Sequence, residues 1–114
     1  MEITSAVVNT ARVITATDEI DNSNAQLVQE AVDTALGQAD PVVVDLTRVT
    51  FIGSAGLSIL VGATNKAREQ GRTLPIVVGD NRSVIRRIQS TGLESVFVLY
   101  QSLADVLAGE GQHG

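Results

Sequence analysis

The sequence predicts a single α/β domain on one mixed, mostly parallel β-sheet, with elements in the order β-β-α-β-α-β-α-β-α. Three observations carry this. Apolar runs of strand length alternate with segments of helical periodicity, the pattern of strands joined by helical crossovers, which are right-handed as a rule. Two runs, "VVVDL" (42–46) and "LPIVVG" (74–79), are continuous rather than alternating, as in strands covered on both faces. The chain has 114 residues and is 44% hydrophobic, which suits one packed core and is too apolar for disorder.

The elements follow in order. Val7 and Val8, then Val13, Ile14 and Ala16, read as two short strands joined at Asn9, Thr10 and Ala11, a joint short enough for a hairpin. In "DEIDNSNAQL" (18–27), Ser23 with Gln26 three residues later matches a capping box and starts a helix near Asn24. Leu27, Val28, Ala31, Val32, Ala35 and Leu36 form its apolar stripe, and Gly37 is the expected left-handed C-cap. After Asp40 and Pro41 comes the "VVVDL" strand. From Ser54 the pattern turns helical, with Leu57, Leu60, Val61 and Thr64 on one stripe, Asn65, Lys66 and Glu69 outward, and Gly71 as the stop. Pro75 lacks an N–H and belongs near the start of the next strand. Asp80 or Asn81 caps a helix carrying Val84, Ile85 and Ile88, stopped at Thr91 and Gly92. The run 96–99 is the last strand, and Ser102 with Asp105 caps a short final helix with Leu103, Val106 and Leu107. The domain is expected to span 1–108, leaving 109–114 as a flexible tail.

Composition removes several function classes. Net charge is −5, and the only basic grouping, Arg82, Arg86 and Arg87, is too small for a nucleic-acid surface. Aromatic residues are 3%, too few for base-stacking platforms. With no cysteine and one histidine, His113 in the tail, thiol metal sites and a histidine-dependent catalytic centre are not expected, and no cofactor is implied. No apolar run approaches a bilayer span and no signal peptide is visible at the start, so a soluble cytoplasmic protein without membrane partners is expected.

The informative stretch is "VVVDLTRVTFIGSAGLSIL" (42–60), which places Ser54 at a strand-to-helix corner between residues with almost no side chain. One reading is a plain N-cap, since serine accepts from the unpaired N–H groups of a helix start. A nucleophile elbow needs G-x-S-x-G, and Ile52 stands where its first glycine belongs. A P-loop needs G-x-x-x-x-G-K-[ST], which is also absent. The other reading is that Ser54 receives a phosphate. Gly53, Ala55 and Gly56 leave the hydroxyl accessible, a helix N-terminus tolerates a dianion, and a partner packed on the Gly/Ala/Leu surface would be repelled.

"DLTRVTFIGSAGL" (45–57), "DEIDNSNAQL" and "VVGDNRSVIRRIQSTGLESVFVLYQSLADVL" (77–107) together resemble the STAS-domain anti-sigma factor antagonists over about residues 5–108. That family shows D-L-S-x-V-x-F-[ILM]-D-S-[ST]-G-L at the strand–helix corner and G-E-[ILV]-D-x-x-[NT]-A-x-x-L upstream. The resemblance implies a non-enzymatic regulator. Its unphosphorylated form binds an anti-sigma factor that is also a serine kinase of the histidine-kinase-like ATPase fold, freeing the sigma factor. Phosphorylation at the position matching Ser54 switches binding off, and a PP2C-type phosphatase restores it. Partner contact maps onto Asp21 and Asn22 and onto Gly53, Ser54, Ala55, Gly56, Leu57 and Ser58. The alternative is a STAS module of a transporter or scaffold that is never phosphorylated. Two residues depart from the pattern. Gly53 replaces an aspartate that could orient the hydroxyl, and Asp18 replaces a loop glycine, which is expected to alter the backbone there.

Four other features have bland readings beside functional ones. Asp45 is expected to end its strand as a cap or turn residue. Ser58, four residues from Ser54, is either a second modification site or an exposed polar residue. The three arginines are a solvated helix face or contacts for an acidic group. Gly62 marks close packing or nothing.

Overall fold

The computed structural model describes residues 1–38 and 40–109. Five strands form one sheet in the order β1-β2-β3-β4-β5: β1 Ile3–Val8, β2 Ala11–Ile20, β3 Val42–Ile52, β4 Pro75–Val77 and β5 Val98–Tyr100. The first pair is antiparallel and the other three are parallel. Helices α1 Ala25–Leu36, α2 Ser54–Glu69 and α3 Arg82–Ser90 connect the parallel strands, and α4 Leu103–Ala108 ends the described chain. A 3₁₀ turn, Leu93–Ser95, precedes β5. The expected tail lies outside the described residues except Gly109, which closes α4 at φ +74°. Among the described residues no helix is long and apolar enough to cross a membrane.

Three consecutive valines behave as a doubly covered strand should. Side chains alternate across a strand. Val42 and Val44 accordingly join the main core with Leu46, Val49 and Ile52, packed against Val28, Val32, Leu57, Leu60, Val84 and Ile88 of the three crossover helices. Val43 faces the opposite side, where Ala11, Val13, Val77 and Tyr100 meet Leu103 and Val106 of α4. The sheet is thus buried on both faces at its centre, and β1 lies exposed at one edge.

Several local expectations changed in the structure. The first two strands are longer than the apolar residues suggested, because the hairpin ladder runs from Ile3 opposite Ala16 to Val8 opposite Ala11. The turn is the two residues Asn9 and Thr10, with Asn9 at φ +56°, a conformation that asparagine tolerates. β3 continues to Ile52, so Asp45 stands mid-strand, where its carboxylate accepts from the Thr47 N–H (2.9 Å) and hydroxyl (2.7 Å). The β2–β3 register shifts beside it, which lets β3 carry that local turn without leaving the sheet. The last strand begins at Val98, because Val96 and Phe97 bond back to the Leu93 carbonyl.

The ends of α1 also differ. Asn24, not Ser23, is its N-cap residue, and no side chain caps the helix. Gly37 stays right-handed at φ −74°. The carbonyls beyond the helix find a donor elsewhere: the Arg72 guanidinium bonds the carbonyls of Leu36 (3.0 Å) and Gln38 (3.2 Å), and that of Asp40. A left-handed turn is therefore not needed there. Leu27, placed in the apolar stripe by its spacing, is 54% exposed. By contrast, Pro75 opens β4, Asn81 caps α3 through Val84 N–H, and Ser102 caps α4 through Asp105 N–H, all as expected.

The two glycines of α2 are opposite cases. A Cβ on Gly56 would come within 2.7 Å of Ile20 Cγ2 and 2.8 Å of Ile52 Cγ1, atoms held on β-branched strand residues. A Cβ on Gly62 meets nothing within 4 Å among the described residues, so this glycine marks no close packing among them. Gly56→Ala should destabilise the fold by about 1–3 kcal/mol through overpacking. Gly62→Ala should stabilise it by about 0.5–1 kcal/mol, the helix-propensity gain at an exposed site. Urea denaturation of both variants against the parent checks the opposite signs; a stabilising Gly56→Ala would refute the close approach of α2 to the sheet.

Candidate functional site

The carboxyl ends of parallel strands are where α/β sheets place their sites, because the following loops and helix N-termini converge there. Here the ends of β2 and β3 coincide: Ile20 is paired with Ile52. The Gly53 N–H donates to the Ile20 carbonyl at 2.8 Å, carrying the ladder one residue past β3. The loop after Ile20 and the corner after Ile52 are thereby fixed side by side. Asp21 and Asn22 come to the same edge as Gly53 and Ser54, although some thirty residues separate them in the chain.

The loop is held by its own side chains. The Asp21 carboxylate accepts from the Ser23 hydroxyl (2.6 Å) and the Ser23 N–H (2.9 Å). Asn24 Oδ1 accepts from the Asp21 N–H, and its Nδ2 donates to the Glu19 carbonyl, both at 2.9 Å. The Ser23 hydroxyl, and after it the Ser23 N–H, hold the Asp21 carboxyl below the ordinary aspartate range. Asp21 is half-buried and spent on this turn, whereas Asn22 is exposed. The side chains of Ser23 and Asn24 thus stabilise the loop rather than cap α1; the D-x-S spacing is the side-chain turn signal here. Asp18 holds φ +65°. This is the left-handed region that glycine enters most readily, so the aspartate adopts a conformation uncommon for a residue with a side chain.

Ser54 is the first residue of α2, and the cap position belongs to Gly53, extended at φ −88°, ψ −178°. The first helical bond at the corner runs from Leu57 N–H to the Gly53 carbonyl at 3.1 Å. No side chain caps the helix, and α2 has no acidic residue in its first turn. The Ser54 hydroxyl is exposed, makes no hydrogen bond among the described residues, and stands at the positive end of a 16-residue helix. The N-cap reading therefore fails by one position, which frees the hydroxyl.

The remaining expected residues divide. Ser58 is exposed and Ala55 half-buried, but Gly56 and Leu57 are buried and serve the contact of α2 with the sheet. Ser54, Leu57, Ser58, Val61, Thr91 and Leu93 line a groove of about 340 Å³ between α2 and the end of α3. Thr91 and Leu93 come from a distant segment and had no signal in the chain. Phe51 is 44% exposed beside Gly53. Arg87 is half-buried, with Nε donating to the Ile52 carbonyl at 3.1 Å and its guanidinium carbon 5.7 Å from the centre of the Phe51 ring. Arg82 and Arg86 are exposed, so the solvated-face reading holds for them and not for Arg87. Among the described residues no group of His, Cys, Asp or Glu is placed to hold a metal. The site is an accessible hydroxyl on a helix start that lines an apolar groove, with a guanidinium pinned to the carbonyl of Ile52, two residues earlier in the chain.

Known proteins resemble this chain in sequence and fold. The anti-sigma-F factor antagonist RsfB of Mycobacterium tuberculosis is 34% identical over 109 residues, covering 94% of this chain and 87% of its own. The crystal structure of an anti-sigma factor antagonist from Mycobacterium paratuberculosis superposes with a TM-score of 0.84 at 28% identity, covering 95% of this chain and 92% of that one. The fold is wider than these: 94% of the chain superposes on 18% of the murine anion transporter Slc26a9, with a TM-score of 0.75 and 15% identity. The STAS domain profile matches residues 2–106. The chain belongs to the STAS domain family.

Proposed function

We propose that the protein is an anti-sigma factor antagonist that acts by binding and is switched by phosphorylation of Ser54. The observation that carries this reading is the exposed, unbonded Ser54 hydroxyl on the first turn of α2, in a chain similar over most of its length to an antagonist. The partner is an anti-sigma factor that doubles as a serine kinase of the histidine-kinase-like ATPase fold. It covers the corner formed by Asn22, Gly53, Ser54, Ala55 and Ser58, with Asp21 shaping the loop beneath. Binding frees the sigma factor in the cytoplasm, and a PP2C-type phosphatase resets the switch.

The physical basis is a contrast between folding and binding. A phosphate at Ser54 adds about −1.5 to −2 charges next to unpaired helix N–H groups, which the fold accommodates. A partner packed over the same turn must desolvate that charge, which exceeds what a single neighbouring cation offsets and costs several kcal/mol unless the partner supplies matching cations. One modification leaves the antagonist intact and removes its affinity.

Ser54→Ala should keep its affinity for the cognate kinase and take up no phosphate from it. Ser54→Glu should fold normally and bind at least about tenfold more weakly, a difference of about 1.4 kcal/mol. Calorimetric titration and phosphate mapping by mass spectrometry check both. Phosphate found only at Ser58, or equal affinity of the phosphorylated and free forms, would sink the switch. A constitutive partner such as a transporter, bound equally by both forms, would replace it.

Gly53→Asp tests the departure from the family pattern. Its added Cβ would lie 3.4 Å from Phe51 Cε2, an ordinary contact, at a backbone conformation any residue adopts. Aspartate is a better N-cap than glycine by a few tenths of a kcal/mol, so thermal unfolding should show equal or higher stability. If a carboxylate orients the hydroxyl for transfer, the initial phosphorylation rate rises; an unchanged rate would show that the glycine costs nothing.

A further inference from the structure

We propose that Arg87 is the internal counter-ion of a phosphate on Ser54, an inference that rests on Ser54 being the modified residue. The guanidinium is placed before any phosphate arrives. Its Nε is fixed to the carbonyl of Ile52, two residues before Ser54, and its central carbon lies over the Phe51 ring. Two peptide steps put the Ile52 and Ser54 Cα atoms no more than about 7.6 Å apart. Thr91, the C-cap residue of α3 four positions beyond Arg87, lines the groove that Ser54 also lines.

Arg87 has no acid of its own. Among the described residues its side chain makes a single hydrogen bond, through Nε, and no ion pair. The acids on adjoining segments are Asp21, bonded to Ser23, Glu19, exposed and paired with Phe51 across the β2–β3 ladder, and Glu94, exposed in the 3₁₀ turn; neither Glu19 nor Glu94 makes an ion pair with Arg87 among the described residues. The terminal N–H groups of Arg87 have no protein acceptor among the described residues and remain open to solvent, so an added anion would not have to displace an existing partner. A planar fork anchored on one side and open on the other is the geometry that binds a phosphate through paired N–H groups. Captured in this way, the phosphate is held against the antagonist's own α3, and the corner keeps its shape in the charged state.

The test installs phosphoserine at position 54 by genetic encoding, so no kinase is involved and failure of the switch reading is seen separately, as absence of kinase-made phosphate. The phosphate is titrated by ³¹P NMR in the wild-type background, in Arg87→Met and in Arg86→Met. A facing cation favours the dianion, so the phosphate pKa in wild type should lie at least about half a unit below that in Arg87→Met. The exposed Arg86→Met variant should match wild type. Arg87→Lys, which keeps charge without the fork, should recover part of the shift. In wild type, phosphoserine should also move the Arg87 Nε resonance relative to the unmodified protein, a readout that stands if Arg87→Met fails to fold. Equal phosphate pKa values with and without Arg87, or an unmoved Nε resonance, would reduce Arg87 to a pin for the Ile52 carbonyl and overturn the proposal.

Discussion

The site depends on one close approach. Gly56 brings the first turn of α2 onto Ile20 and Ile52, the last residues of two neighbouring parallel strands, with no room for a methyl group between them. The Gly53 N–H bond to Ile20 locks the same place from the backbone side. Together they set where α2 begins and how near it lies to the Asp21–Asn24 loop. Push the helix outward and Ser54 leaves the loop, the groove beside Thr91 opens, and the carbonyl that Arg87 holds loses its position. The small residues around Ser54 therefore have two purposes. Gly56 serves packing, whereas Gly53 and Ala55 leave the hydroxyl uncovered.

The electrostatics of this edge are economical. The chain is acidic overall, yet no carboxylate occupies the first turn of α2. Asp21, the acid on the neighbouring loop, is committed to Ser23, which keeps its charge turned inward to the turn. The helix N-terminus beside Ser54 is thus left positive, with no carboxylate in its first turn. Rigidity comes from short-range bonds within the loop and from the sheet beneath it. Charge can then change at the corner without a change of fold.

Much of the architecture was legible along the chain because strands and helices alternate and each carries its own period. "VVVDL" announced a doubly covered strand, and Val43 facing away from Val42 and Val44 is that statement in three dimensions. Asn81, Ser102 and Pro75 were read correctly because capping and the missing proline N–H are local effects. Gly37 was misread because its helix end is satisfied by Arg72, a residue thirty-five positions on, which no local rule anticipates. Leu27 was misread for a similar reason: spacing identifies a face, but only the neighbouring elements decide how far that face is covered. Asp45 looked like an ending because the apolar run stops there, while the ladder to β2 continues through a shifted register.

By itself the sequence determined the element order, the strand–helix corner at Ser54 and the mismatch of that corner with the nucleophile-elbow and P-loop spacings, since all of these follow from residue type and spacing over short distances. Tertiary structure decided what surrounds the serine. Whether Ser54 caps its helix or stands one position inside it depends on the extended backbone at Gly53, and that is set by the bond to Ile20 on another strand. Whether Arg87 is solvated, like Arg82 and Arg86, or drawn in depends on which carbonyl lies within reach of α3 once it has docked on β3. Such contacts join segments more than thirty residues apart, and the chain carries no local trace of them.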